Sequence, residues 1–190
     1  MEKPLSVAPP PMDEAAFWKI VAKSLETLSE TSLVQPARDT QVQALTHALR
    51  SLPLKDVIAF QRAFSLLMAQ ANRWDLMRIA LLIEGCCGDD GFREFRYWLV
   101  SRGKVDFYDV LEHPDCLAEM AHRNGSEVTF FPEFGTVAQD VYEERTGSDS
   151  PPSYDISFLR QKPGGEKFEP TPQEFQERFP KLWKRFGDHC

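Results

Sequence analysis

A chain of 190 residues with 42% hydrophobic and 12% aromatic content, including 14 Phe and 4 Trp, can bury one core of ordinary size without disulfides or a metal, which excludes a disordered chain. The net charge of −7 lies between residues 101 and 160, where twelve acids face five bases; such a bias disfavours phosphate backbones and suits either a cationic protein surface or simple solvation. Apolar runs such as Ile79–Ile83 fall far short of the roughly 20 residues of a membrane span, and MEKPLSVAPPPMDE has prolines where a secretory signal needs an apolar stretch, so a cytoplasmic location is expected.

Residues 1–11 are Pro-rich and poor in large apolar side chains, and read as a disordered tail. From Asp13, a candidate N-cap, Ala16, Phe17, Ile20, Val21, Leu25 and Leu28 recur at helical spacing. A second helix is expected from about Asp39, with Val42, Leu45, Leu49 and Leu52, and Pro53 marks the boundary to a third. The third carries Val57, Ile58, Phe64, Leu67, Met68 and Ala71 and is long enough to be a central packing element. The fourth, Trp74 to Glu84, is apolar on nearly every side except Arg78, which predicts burial, and Gly85 is a natural left-handed stop.

After CCGDDG, a helix with Phe92, Phe95, Trp98 and Leu99 runs to Gly103, and helical spacing continues from Val105 to Arg123 with a break at Pro114. The run EVTFF, from Glu127 to Phe131, could make one short strand. Val137, Val141 and Tyr142 belong to a further helix ending at Gly147. Residues 148–170, rich in Pro, Gly and charge, are expected to wrap irregularly over the domain. The last helix, within 171–190, has Thr171 as N-cap, Pro172 first and Glu174 at the capping-box position, with Pro180 kinking or splitting it. The fold expected is mainly α: a multi-helix orthogonal bundle over 12–147 with at most one short strand or hairpin, and the C-terminal helix packed back on it.

The segments LPLKDVIAFQRAF, RWDL and GCCGDDGFREFRYWL, with DEAAFWKIV near the start, VYEERTG in the acidic region and FPKLWKRFG at the end, resemble the bacterial family of unknown function 4240. The resemblance implies a helical fold and no established activity. In that family the position of Cys86 looks more often like glycine and that of Gly88 more like serine. The vicinal Cys86–Cys87 pair is therefore particular to this chain and a weak basis for mechanism.

Among residues able to do chemistry, Arg73, Trp74 and Asp75 with Asp89, Asp90, Arg93 and Arg96 form the best candidate constellation. Paired carboxylates act together only when they converge, and an intervening helix rising about 1.5 Å per residue puts Asp75 and Asp89 roughly 20 Å apart. Asp89 and Asp90 are expected to cap the helix that begins there and to complement its dipole. Arg93 and Arg96, three apart, could pair with nearby acids or cradle an anion. Trp74 and Trp98 are expected as core anchors, while Tyr142, Glu143 and Glu144 are candidate partner contacts or a solvated helix face.

Cys86, Cys87, Cys116 and Cys190 suit free thiols in a reducing compartment better than disulfides. His113 with Cys116 is one close-spaced pair where structural zinc needs two, and no Walker loop is present, so no metal or cofactor is expected. Function is expected to be non-enzymatic binding of a protein with a basic surface, as in an immunity protein that neutralises a toxin or a regulatory adaptor. The alternative is a small-ligand or enzymatic site built on Arg73, Asp75, Arg93 and Arg96. A third reading, a structural part of a larger assembly, predicts a broad exposed apolar patch.

Overall fold

The computed structural model describes residues 1–26, 35–85, 87–120, 129–149 and 162–187. Asp13 starts the first helix as its side chain allows: the carboxylate accepts from the Ala16 N–H at 3.2 Å, so α1 runs Glu14–Glu26 and buries Phe17, Trp18 and Val21. Ala16 is exposed, and Trp18 takes the place expected for it; Leu28 lies outside the described residues. Helix α2, Gln35–Arg50, begins earlier than the expected Asp39 and buries Leu45 and Leu49 completely. Pro53 precedes α3, Leu54–Gln70, whose buried residues include Val57, Phe60, Phe64, Leu67 and Met68.

Helix α4, Trp74–Glu84, ends at Gly85 with φ 72°, the left-handed conformation that glycine adopts without a Cβ penalty. Helix α5, Asp89–Ser101, is followed across Gly103 (φ 92°) by α6, Lys104–Glu112. A 3-10 turn at Pro114–Cys116 and the short α7, Leu117–Met120, realise the break expected at Pro114. Helix α8, Pro132–Thr146, stops at the left-handed Gly147. Thr171 Oγ1 accepts from the Glu174 N–H at 3.3 Å to open α9, Pro172–Arg178, and Pro180 splits off α10, Pro180–Phe186.

No strand forms among the described residues. Of the EVTFF run, Glu127 and Val128 lie outside them, and the remainder is held by other partners. The Thr129 N–H donates to Glu84 Oε1 at 2.5 Å and the Phe131 N–H to the Glu94 carbonyl at 3.3 Å, so no main-chain ladder remains to be made. The one β-type pairing among the described residues is an isolated parallel bridge between Arg73 and Gly164. Residues 1–13 carry no helix or strand.

Helix α3 is the hub, with α1, α5 and α8 packed around it, and α8 also lies against α2 and α5. Phe17 stacks on Phe60 with ring centroids 4.6 Å apart, and Trp18 meets Phe107 at 5.4 Å, joining α1 to α3 and α6. A second aromatic knot, Phe168 with Phe175 and Phe179 and then Phe175 on Trp183, binds α9 and α10 to the preceding segment. Helix α10 then packs on α4 and α7, so the C-terminal helices belong to the same body as the core.

Helix α8 approaches α5 closely at Gly135. A Cβ at Gly135 would sit 2.3 Å from the Tyr97 ring, which itself packs 5.5 Å from Phe64. Alanine normally gains about 1 kcal/mol over glycine inside a helix, but overpacking costs roughly 1–3 kcal/mol and should win here. Gly135→Ala is therefore expected to lower the urea midpoint of the unmodified chain. The same change made on top of Tyr97→Ala, where the ring is gone, should raise it relative to Tyr97→Ala alone.

Candidate functional site

The RWDL motif forms the corner between α3 and α4. Arg73 is extended (φ −129°, ψ 146°), which turns the main chain toward the segment after residue 162. The Trp74 N–H donates to the Gly164 carbonyl at 2.9 Å and the Gly164 N–H to the Asn72 carbonyl at 2.7 Å. The Arg73 guanidinium forks onto both carboxylate oxygens of Asp75, and its remaining Nη1 donates to the Leu111 carbonyl at 2.5 Å, closing the end of α6. Asp75 Oδ1 also accepts from the Leu76 N–H at 2.8 Å. Trp74 is half-buried, with the Arg78 guanidinium 5.6 Å and the Lys167 ammonium 5.1 Å from its ring, and Arg78 Nε reaches the Phe168 carbonyl. These groups tie α3, α4, α6 and residues 162–168 into one corner. Trp98, by contrast, is a buried core anchor 5.7 Å from Phe95.

At the start of α5 the capping position belongs to Gly88, and no side chain caps the helix. The expectation that Asp89 or Asp90 is the cap is corrected: both sit one and two residues too late, exposed in the first turn, where a carboxylate complements the helix dipole instead. Asp90 pairs with Arg93 at 2.9 Å. Arg96 is only 3% exposed; its Nη1 donates to the Met68 carbonyl at 3.1 Å, its Nε to the Phe92 carbonyl at 3.3 Å, and its guanidinium lies 4.6 Å from the Phe92 ring. Burial pushes its pKa down to about 10, which leaves it charged at neutral pH. Arg73, Asp75, Arg93 and Arg96 are thus spent on three separate contacts.

Cys116 is a free thiol, the Cys87 thiol donates to the Gly88 carbonyl at 3.7 Å, and Cys86 lies outside the described residues. Burial, followed by the carboxylates Asp109, Asp106 and Glu119, pushes the Cys116 thiol up to about 11, so it holds little thiolate at neutral pH and is a poor nucleophile. Among the described residues no three His, Cys, Asp or Glu side chains gather as metal ligands, and no helix is long and apolar enough to cross a membrane.

The acidic stretch divides its carboxylates between structural and exposed positions. Asp115 accepts from the Lys181 and Leu182 N–H groups at 3.1 and 3.0 Å and so caps α10, a long-range role that no local spacing signals. Asp106 pairs with Arg102, Glu119 with Lys181 and Glu144 with Arg50. Tyr142 is 1% exposed and packs with Leu54 and Ile58, so it is a core residue and not a surface contact. Its hydroxyl has no partner among the described residues. Glu143 is exposed, and with Glu133 and Asp140 it forms an outward row along α8 with no described cation within ion-pair reach; Asp109 and Glu112 are exposed on α6. Among the described residues these exposed carboxylates therefore sit on two helices, α6 and α8, that both pack on α5.

A groove of about 580 Å³ runs between α1 and α2, a size suited to a small molecule. Its floor is Ile20, Ala44, Ala48 and Leu52, and its rim carries Lys19, Lys23 and His47. Neither lysine has an ion-pair partner among the described residues. Of these seven residues Ile20 and Leu52 stood out in the sequence as parts of apolar stripes and the other five did not, because small alanines on a helix read as filler and the rim is assembled from two helices.

The model of the family described as protein of unknown function (DUF4240) matches residues 12–144, and the chain belongs to that family. The matched span covers α1 to α7 and most of α8, leaving out residues 1–11 and the C-terminal FPKLWKRFG. No curated protein and no solved structure matches the chain.

If the Arg73–Asp75 fork is architectural, Asp75→Asn should destabilise the fold. Hydrogen bonds to charged groups contribute about 1.5–3 kcal/mol each, and partial exposure of this pair argues for the lower end. Urea unfolding of Asp75→Asn is expected to show a loss of roughly 1–2 kcal/mol, with a larger loss for Asp75→Ala because the Leu76 N–H then loses its acceptor. Unchanged stability in both variants would return Asp75 to the list of candidate ligand contacts.

Proposed function

We propose that this family member is a non-enzymatic acidic helical module that binds a partner with a basic surface, in the manner of an immunity protein against a toxin or a regulatory adaptor. The observation that supports the reading best is the row Glu133, Asp140 and Glu143, exposed along a rigid helix and in no ion pair among the described residues, with the Arg38 guanidinium acting on Glu133 from farther off. Fixed, unneutralised carboxylates raise the association rate of a cationic partner and orient it, at an energy that falls with salt. Support for chemistry at Arg73, Asp75, Arg93 and Arg96 is weaker, since each is engaged with protein groups. Leu66 on α3 and Val105 on α6 are exposed on different helices, which gives little to a purely structural role.

Capture from an extract of the native host on immobilised chain tests the reading. A single defined partner should be retained at low salt, released as salt rises, and lost when Glu133, Asp140 and Glu143 are together changed to Lys. The pair Asp109→Lys and Glu112→Lys on α6 should retain it. Equal retention by both charge-reversed chains, or no salt-dependent partner at all, would count against the α8 row.

A second reading, small-ligand binding, draws on the α1–α2 groove. An apolar floor under an unpaired cationic rim suits an aliphatic carboxylate. Decanoate at a hundred times its Kd would add about 2.7 kcal/mol, enough to raise the melting temperature by several degrees. Decyltrimethylammonium should not raise it, and Ala48→Phe, which fills the floor, should abolish the decanoate shift. Equal shifts with both amphiphiles would reduce the groove to a detergent site.

A further inference from the structure

The segment ahead of α1 is seated by four attachments, all on α3 or α8. The Glu2 N–H donates to the Arg145 carbonyl at 2.7 Å, while Glu2 Oε1 accepts from Arg145 Nε at 2.7 Å and lies 2.6 Å from Nη2. Leu5 packs on Leu54, Ile58 and Tyr142. The Pro9 carbonyl accepts from Arg62 Nη1 at 2.7 Å, and the Met12 N–H donates to the Ala59 carbonyl at 2.8 Å. Prolines at 4, 9, 10 and 11 favour an extended chain that loses little conformational freedom on seating. A cation for a carboxylate, a socket for one aliphatic side chain and an arginine for a bare carbonyl together make the kind of surface that reads extended proline-containing peptides.

Two further observations separate the surface from its present occupant. Leu54, Ile58, Ala59, Arg62 and Tyr142 lie inside the span matched by the family model and Arg145 one residue past its end, whereas residues 1–11 lie outside it. In the cluster on which Leu5 packs, the buried Tyr142 hydroxyl has no hydrogen-bond partner among the described residues. A buried hydroxyl left unpaired carries an unrecovered desolvation cost, so a segment offering an acceptor at that point would bind better than the chain's own.

We propose that the α3–α8 face is a receptor for an extended, proline-containing segment of a partner protein, with a carboxylate and an aliphatic side chain three residues after it, and that residues 1–12 keep it closed in cis. The proposal does not rest on the basic-partner reading. Arg145 and Arg62 select an acidic segment, whereas the outward row of α8 attracts a cationic one. Tethering holds the cis segment at an effective concentration on the order of millimolar, so a competing peptide meets a filled groove until the strap is weakened.

The test uses the full chain and a fluorescent peptide of residues 1–12, followed by anisotropy. The unmodified chain should bind it weakly, and the Leu5→Asp chain at least tenfold more tightly. Peptides carrying Glu2→Lys or Leu5→Asp should lose that gain. If Leu5→Asp alters the helical circular dichroism, Glu2→Lys in the chain, which breaks the ion pair with Arg145, opens the strap in the same assay. Twelve-residue peptides selected from a display library on the opened chain should converge on an acid followed three residues later by an aliphatic residue, with proline nearby. A folded, strap-weakened chain that binds the peptide no better than the unmodified one overturns the proposal, as does a selected consensus without an acid. A stable dimer of the unmodified chain that exchanges residues 1–12 between copies would assign the groove to self-association and overturn it equally.

Discussion

The rotational setting of α8 governs most of what this molecule presents to its surroundings. Phe134, Val137, Ala138 and Val141 are buried on its inner side, and Gly135 lets that side approach α5 until only the bare Cα faces the Tyr97 ring. With that contact made, helical periodicity leaves no freedom elsewhere. Glu133, Asp140 and Glu143 must point outward, Tyr142 turns down onto Leu54 and Ile58, and Arg145 reaches both the Leu52 carbonyl and Glu2. A slip of one residue would bury a carboxylate and expose apolar surface, both costly, so the outer row and the groove beside it are fixed by the same core packing.

Arginine holds the ends and loops onto this core. Seven arginines, Arg38, Arg62, Arg73, Arg78, Arg96, Arg145 and Arg185, donate to main-chain carbonyls. The acceptors lie at helix ends or in irregular segments, where carbonyls lack the intrahelical partner that a mid-helix group has. Arg96 is the extreme case, a nearly buried cation that pairs with no carboxylate among the described residues. Burying a charge this way is tolerable because Met68 is in the last turn of α3, where the helix dipole presents negative charge, and because the Phe92 ring face covers the guanidinium. Desolvation still lowers the Arg96 pKa, but not far enough to remove the proton.

What the sequence made legible was local. Asp13 and Thr171 as caps, Gly85 as a left-handed stop, Gly147 as a helix end and the division at Pro180 all follow from chemistry within four residues of the feature, and all are found. What stayed hidden depended on partners distant in the chain. EVTFF has strand composition, but Glu84, some forty-five positions earlier, takes the Thr129 N–H. Tyr142 stands beside two glutamates and looks like surface until Leu5, Leu54 and Ile58 close over it. The RWDL and DDGF residues drew notice as possible chemistry because they are charged and specific. Their specificity is that of a joint: Arg73 serves two helices and a loop at once, and no single-helix pattern reveals that. Asp115 and the α1–α2 groove escaped notice for the same reason.

The arginine count also explains why a modest net charge becomes a strongly acidic outer surface on α8. Each guanidinium turned inward to a carbonyl keeps its charge but spends its directional donors on the backbone, so fewer cations are left to pair with exposed carboxylates. The excess of acids over bases is therefore felt unevenly. It is weak around the arginine-stitched corners and stronger along Glu133, Asp140 and Glu143, which enter no ion pair among the described residues, Arg38 acting on Glu133 from farther off. On the neighbouring side of the same helix the sign reverses, because Arg145, with Arg62 from α3, faces the N-terminal segment. Two opposite electrostatic preferences, on two sides of one helix, would let the molecule distinguish a basic surface from an acidic peptide, and each preference would weaken with salt on its own side of α8.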